Sequence, residues 1–177
     1  MKNILLVLYI TFSFLPVSAQ TTEVNYDTCQ QLSQLNGEWR SINGNDTIKV
    51  FLKYHVDSSH SFKSVLGRLY GWHEYKQGAT VVESDYAFRF TSLPYDNDVS
   101  SVRYSIILNF ASCLATSNTL TGIIRDYLQS NETHSVSITL NSSHTVMTWS
   151  QEHSEGYGFR TGATGMTLPK QFILLKQ

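Results

Sequence analysis

The sequence has little proline, little cysteine and few charged side chains, and these shortages narrow the classes of protein it can represent. Its 177 residues include three Pro and two Cys, and 15% of them are charged. With 41% hydrophobic residues, such a chain is not a disordered polar tail. Thirteen basic residues against fourteen acidic ones give a formal charge of -1, which argues against a nucleic-acid partner because phosphate backbones bind strongly basic surfaces. The length suits one domain.

No apolar run approaches the roughly 20 residues that a membrane-spanning helix needs. The most apolar stretch, from Ile4 to Leu15, follows Lys2 and precedes Val17-Ser18-Ala19. A basic residue, about a dozen apolar residues and a small-x-small cleavage site are the three parts of a secretory signal peptide. We therefore predict a signal peptide at 1–19, cleaved near Ala19, and export to the periplasm or the extracellular space.

The two cysteines, Cys29 and Cys113, would enter an oxidising compartment if the chain is exported. One disulfide is the only intramolecular pairing that two cysteines allow. Two separate buried thiols are the alternative, and the sequence does not decide between them.

Strand-like alternation of apolar and polar residues dominates the chain after a lead-in arm at 20–34. A single helical turn is expected before Gly37, and 35–177 is predicted to form one domain. Parallel α/β folds are excluded because crossover helices are missing. The pattern predicts an all-β, antiparallel barrel or sandwich. About nine strands are predicted, one beginning near Gly37 and the others at 47–55, 64–75, 79–84, 102–110, 120–126, 135–140, 145–150 and 172–175, while 86–91 either continues the strand at 79–84 or forms its own.

Little in the sequence points to catalysis. The histidines never form a His-x-His pair, and no Gly-x-Ser-x-Gly turn occurs, so we assign no catalytic residue, metal ligand or cofactor. His73 and Glu74 are adjacent on a predicted strand and should point to opposite faces. The histidines are therefore expected at the surface. Two carboxylates or histidines that cluster in one cleft with shifted pKa values would favour an enzyme instead.

The segment Leu35-Asn36-Gly37-Glu38-Trp39, a Gly-x-Trp just after the arm, resembles the entry motif of lipocalins and the wider calycin group. Arg125-Asp126-Tyr127 is similar to a Thr-Asp-Tyr turn of that group. The resemblance implies an up-and-down barrel of about eight or nine strands, with Trp39 closing one end, Gly37 allowing close chain approach, and Arg160 or Lys176 covering the Trp39 ring.

A closer resemblance spans most of the chain. The segments LNGEWRSINGNDTIKVFL, LYGWHEYKQG and LPKQFILLKQ look like those of a family of small secreted bacterial proteins of unknown function. The resemblance to that family implies no biochemical activity.

Two functional hypotheses follow. In the first, a secreted non-catalytic barrel binds a small apolar or amphipathic ligand through inward aromatic side chains, because Tyr and Trp join a large apolar body to one polar tip. The candidates are Tyr54, Tyr70, Trp72, Tyr104 and Trp149. In the second, exposed aromatic side chains recognise a carbohydrate or a protein partner. The long connection at 151–169, with Tyr157, Phe159 and Arg160, would be a binding loop or a surface excursion.

Overall fold

The computed structural model describes residues 32–59, 64–94, 102–110, 118–128, 132–152 and 167–177. These residues form nine strands and two short 3-10 turns, at Leu32–Leu35 and Tyr86–Phe88. The strands, in chain order, are β1 (Gly37–Asn43), β2 (Asp46–Ser59), β3 (Ser64–Gln77), β4 (Thr80–Ser84), β5 (Ile106–Phe110), β6 (Thr119–Asp126), β7 (Glu132–Leu140), β8 (Val146–Glu152) and β9 (Gln171–Lys176).

Eight of the strands close into an antiparallel barrel. Each of β1, β2, β3, β5, β6, β7, β8 and β9 pairs with the next, and β9 returns to β1 through Trp39 opposite Lys176. β4 is an extra strand that pairs with the last residues of β3, beyond the part of β3 that pairs with β5. The prediction of an all-β up-and-down barrel is confirmed.

Short turns that contain Gly44 and Gly78 join β1 to β2 and β3 to β4. Gly44 and Gly78 have φ values of +60° and +58°, a left-handed backbone that glycine adopts without strain. Two strand predictions are wrong. Residues 86–91 contain the 3-10 turn at Tyr86–Phe88, and β5 begins at Ile106 instead of at 102.

The inner face of the barrel is set by the register of β2 and β3. Val50 lies opposite His73 and Leu52 opposite Gly71, and Val50 and Leu52 belong to the central apolar core. Tyr70 and Trp72 are opposite Lys53 and Phe51, so they project from the outer face of the wall. The expectation that Tyr70 and Trp72 point inward is therefore wrong.

A segment that we call the outer strap, residues 85–94 and 102–105, covers this outer face. Trp72 Nε1 donates a hydrogen bond to the carbonyl of Arg103 at 2.6 Å. The ring of Tyr104 meets that of Tyr70 edge-on, with 5.0 Å between centroids. Tyr70 and Trp72 are fully buried as a result. Tyr104 precedes β5 and belongs to this outer layer, so its predicted inward orientation is also wrong.

Trp39 closes one end of the barrel, which we call the plugged end. Its ring is fully buried, and Nε1 donates to the carbonyl of Leu35 at 2.9 Å, in the single helical turn that precedes Gly37. Lys176 Nζ lies 5.7 Å from the ring centroid, in the position expected for a basic residue over this Trp. Gly37 has a φ of +115° and open space where a Cβ would be, so this position favours glycine for its backbone conformation, not for close chain approach.

Tyr70 and Tyr86, which lie on the outer side of the barrel wall, should make the protein less stable at alkaline pH. Burial, reinforced by a 2.6 Å hydrogen bond to Asp57, raises the pKa of Tyr70. Burial and a hydrogen bond to Glu38 likewise raise the pKa of Tyr86. An unfolded tyrosine ionises near pH ~10, so above that pH the unfolded chain binds fewer protons than the folded one, and stability falls as pH rises.

We therefore expect the urea midpoint to be constant up to about pH 9 and to decrease from about pH 10 upward. A Tyr70→Phe variant should show a shallower decrease, because one of the ionising groups is gone. A midpoint that does not change up to about pH 11 would contradict this expectation.

Several sequence predictions lie outside the described residues. These are the signal peptide at 1–19 and most of the lead-in arm, the pair Cys29 and Cys113, and Tyr157, Phe159 and Arg160 of the long connection. Within the ranges that the structure describes, no helix is both long and apolar enough to span a membrane.

Candidate functional site

The barrel interior changes from apolar to polar along its axis. Because β1, β6 and β8 run in the same direction, the last residues of β6 and β8 lie at the end opposite Trp39. Asp126 and Gln151 are buried there, and His134 of β7 lies opposite Ile124 nearby. We call this end, with His73 of β3, the polar end.

Two neighbouring inner-face side chains of β8 have unused hydrogen-bonding atoms. Among the described residues, Trp149 Nε1 and Gln151 Oε1 are buried without a hydrogen-bond partner. The Trp149 ring is fixed by stacking on Phe172, with 5.4 Å between centroids and 16° between planes. Gln151 is fixed through its Nε2, which donates to the carbonyls of Leu168 and Pro169 at 3.0 and 2.6 Å. One donor and one acceptor are thus held on the same strand, two residues apart.

His73 is the centre of a second buried polar group. Its Nδ1 is 2.7 Å from Ser105 Oγ and 3.7 Å from Asp85 Oδ1, and its Nε2 is 3.5 Å from Glu83 Oε2. The backbone N–H of His73 donates to Asp85 Oδ1 at 2.7 Å. Burial raises the pKa of Asp85, against the opposing effect of His73. The group therefore holds two carboxylates beside one imidazole, away from solvent.

The burial of the group around His73 argues against its use as a nucleophile relay. In such a relay the serine and the carboxylate contact different nitrogens of the imidazole, so that a proton can pass between them. Here Ser105 faces Nδ1 and Glu83 faces Nε2, but Ser105, His73 and Glu83 are all buried, so the Ser105 hydroxyl is not exposed to a substrate. Within the described ranges, no group of three or more His, Cys, Asp or Glu side chains is placed to hold a metal ion.

The expectation that the histidines lie at the surface is wrong for His73 and His134, which are both buried. His73 and Glu74 do point to opposite faces. Glu74 Oε1 lies 3.4 Å from Lys49 Nζ and 3.2 Å from Lys76 Nζ on the outside of the wall.

The five predicted ligand-binding side chains do not form one cluster. Tyr54 and Trp149 lie on the inner face, where Tyr54 packs partly buried against the core and Trp149 is within it. Tyr70, Trp72 and Tyr104 lie together in the outer layer beneath and within the outer strap. That any of the five binds a ligand stays a prediction.

The comparison with known protein families concerns the whole chain. Residues 1–177 match a family described as "Family of unknown function (DUF6705)". The chain belongs to this family. No curated protein and no solved structure matches it.

The sequence pattern of this DUF6705 protein did not reveal every residue of its polar end. In the sequence, Asp126 stands out only through the resemblance of Arg125-Asp126-Tyr127 to a lipocalin turn. In the structure its Oδ1 accepts the Leu128 N–H at 3.0 Å and its Oδ2 accepts the Thr167 N–H at 2.7 Å. The Asp126 carboxylate therefore links the end of β6 to the residues that precede β9. The one local sequence signal for this role is an Asp at the end of an alternating strand.

Proposed function

We propose that this DUF6705 protein is a secreted, non-catalytic barrel that binds a small amphipathic molecule in its interior. The observation that carries the proposal is the pair of unused atoms on β8, the Trp149 Nε1 donor and the Gln151 Oε1 acceptor. Leaving a buried polar group unpaired costs about 1–3 kcal/mol, so a ligand that pairs with both atoms recovers that energy. A hydroxyl or a similar group that both donates and accepts fits this requirement.

The closed barrel and the difference between its two ends also support ligand binding in the interior. Trp39 fills the plugged end, while apolar side chains line the wall between it and the polar end. Ligand sites are commonly apolar with a few convergent polar groups, and the mouths of barrels are frequent locations for them. Secretion rests on the signal-peptide pattern at 1–19.

A matched pair of tryptophan variants tests the proposal with 1-dodecanol as the probe. Trp149 and Trp72 are both fully buried, but Trp149 lies on the inner face and Trp72 on the outer one. Trp149→Phe keeps the stacking on Phe172 and removes the N–H. We expect it to weaken dodecanol binding about tenfold, the effect of one lost hydrogen bond.

Trp72→Phe is the control, and it should leave dodecanol affinity unchanged even if it lowers stability. Affinities are measured by isothermal titration calorimetry below the solubility limit of the alcohol, and folding is checked by circular dichroism. The proposal is wrong if the wild-type protein does not bind dodecanol, or if both variants weaken binding equally.

Surface recognition is a second candidate, favoured by the exposed side of the outer strap. The Phe90 side chain is 72% exposed, and the Arg89 guanidinium lies 4.2 Å from its ring centroid and 4.4 Å from that of Tyr86. The complete burial of Trp72 and Trp149 argues against a sugar-stacking platform built from those two rings. A partner bound in this way would contact Phe90 and leave Trp149 untouched.

A further inference from the structure

The inner wall of the barrel carries very little positive charge. Of the Lys and Arg side chains on the described strands, Lys176 alone lies on the inner face, opposite Trp39. It is engaged at the plugged end, where its Nζ lies over the Trp39 ring and donates to the carbonyl of Gln34. The polar end, at the far side of the core, therefore has no lysine or arginine among its described inner-face residues.

Buried carboxylates collect at that polar end. Asp126, Glu83 and Asp85 are each at most 4% exposed. Glu83 Oε1 accepts the backbone N–H of Tyr127 at 2.7 Å, which brings the end of β6 beside β4. In the described part of the chain, Glu83 Oε2 and Asp85 Oδ2 lack a hydrogen bond. On the inner face, the described bases near these carboxylates are the imidazoles of His73 and His134, while Arg103 of the outer strap acts on Asp85.

We infer that the site prefers an amphiphile with a protonated amine head over one with a carboxylate head. This inference rests on the proposed function, because it names the class of ligand for the same interior site. Charges interact strongly in a poorly hydrated interior. An ammonium group gains attraction from Glu83 and Asp126, whereas a buried carboxylate would meet like charges without a described inner-face lysine or arginine to pair with it.

The second support comes from β8. Gln151 Oε1, buried and without a described partner, is an acceptor that an ammonium N–H can satisfy and that a carboxylate cannot. Trp149 Nε1 remains available for an adjacent acceptor such as a hydroxyl. Amine-bearing amphiphiles with a neighbouring hydroxyl therefore use both atoms.

The test compares three ligands with the same twelve-carbon chain: dodecylamine, 1-dodecanol and dodecanoate. The full chain is titrated with each below its micellar concentration, and complexes are counted by native mass spectrometry and calorimetry at neutral pH. We expect one bound molecule per chain, with dodecylamine binding at least about tenfold more tightly than dodecanoate and dodecanol in between.

Two glutamate variants test whether the preference for the amine arises in the barrel interior or on the outer surface. Glu83→Gln removes a buried carboxylate and should reduce the preference for amine over carboxylate severalfold. Glu74→Gln is the control, because Glu74 lies on the outer face of the same sheet beside Lys49 and Lys76 and should leave that preference unchanged. If Glu83→Gln does not fold, the three-ligand comparison on the wild-type protein decides alone.

The outcomes distinguish the two proposals. Failure of all three ligands to bind overturns the interior-binding function itself. Binding of dodecanol or dodecanoate as tightly as dodecylamine overturns the charge preference and leaves interior binding standing. A preference that Glu74→Gln abolishes and Glu83→Gln leaves intact would place the selectivity on the outer surface and overturns the inference too.

Discussion

Replacing Gly122 by alanine is expected to unfold the barrel or to lower its free energy of unfolding by at least about 3 kcal/mol. Gly122 lies in β6, opposite Leu108 of β5 and Val136 of β7. A Cβ at this position would be 2.0 Å from the carbonyl oxygen of Ile107 and 2.9 Å from the Cα of Leu108. Both atoms belong to the backbone, so no side-chain rotation relieves the clash, and β5 and β6 must separate.

The measurement is a urea unfolding curve monitored by circular dichroism. Thr121→Ala is the control, because Thr121 is the exposed neighbour on the same strand, and it should change stability by no more than about 0.5 kcal/mol. A Gly122→Ala protein with the wild-type midpoint would show that β5 and β6 do not approach as closely as described.

Replacing Trp39 by alanine is expected to remove about 3–5 kcal/mol of stability. The indole is fully buried, its Nε1 donates to Leu35, and its ring lies beneath Lys176. The substitution leaves a cavity at the plugged end and removes the contacts that hold the N-terminal turn and β9 to β1. Domains typically have a free energy of unfolding of only about 5–15 kcal/mol, so this loss should be a large fraction of it.

Ile42→Ala supplies the comparison for Trp39. Ile42 is on the same strand, but its side chain is 69% exposed on the outside, so its removal should cost no more than about 0.5 kcal/mol. Equal costs for the two variants, measured by urea unfolding, would contradict the assignment of Trp39 as the plug of the barrel.

Local patterns were sufficient to predict the strands of this barrel but not the faces of β3. In β2, Lys49 and Lys53 mark the outer side, and the alternating apolar residues Val50 and Leu52 lie in the core. In β3 both faces are rich in large side chains, and Tyr70 and Trp72 look as suitable for a core as Leu69 does. The register with β2 places Tyr70 and Trp72 on the outer face, and the outer strap then buries them, with Arg103 lying 31 residues after Trp72.

The buried polar end was beyond local sequence reasoning for a similar reason. His73, Glu83, Asp85 and Ser105 come from β3, β4 and the outer strap, and only the switch of β3 from pairing with β5 to pairing with β4 brings them together. No sequence motif with a fixed spacing indicates this change in the pairing of β3. The sequence indicates Trp149 as an inward aromatic, but whether its Nε1–H and the Gln151 Oε1 are paired depends on neighbours from other strands.

The most direct test of interior binding is native mass spectrometry of the protein purified from its own host, before and after extraction with organic solvent. The account predicts an additional small mass, bound one to one, that disappears on extraction and is absent from a Trp149→Phe preparation or much reduced in it. A spectrum with the bare polypeptide mass before extraction, from protein that also fails to take up dodecylamine or dodecanol, would contradict the account.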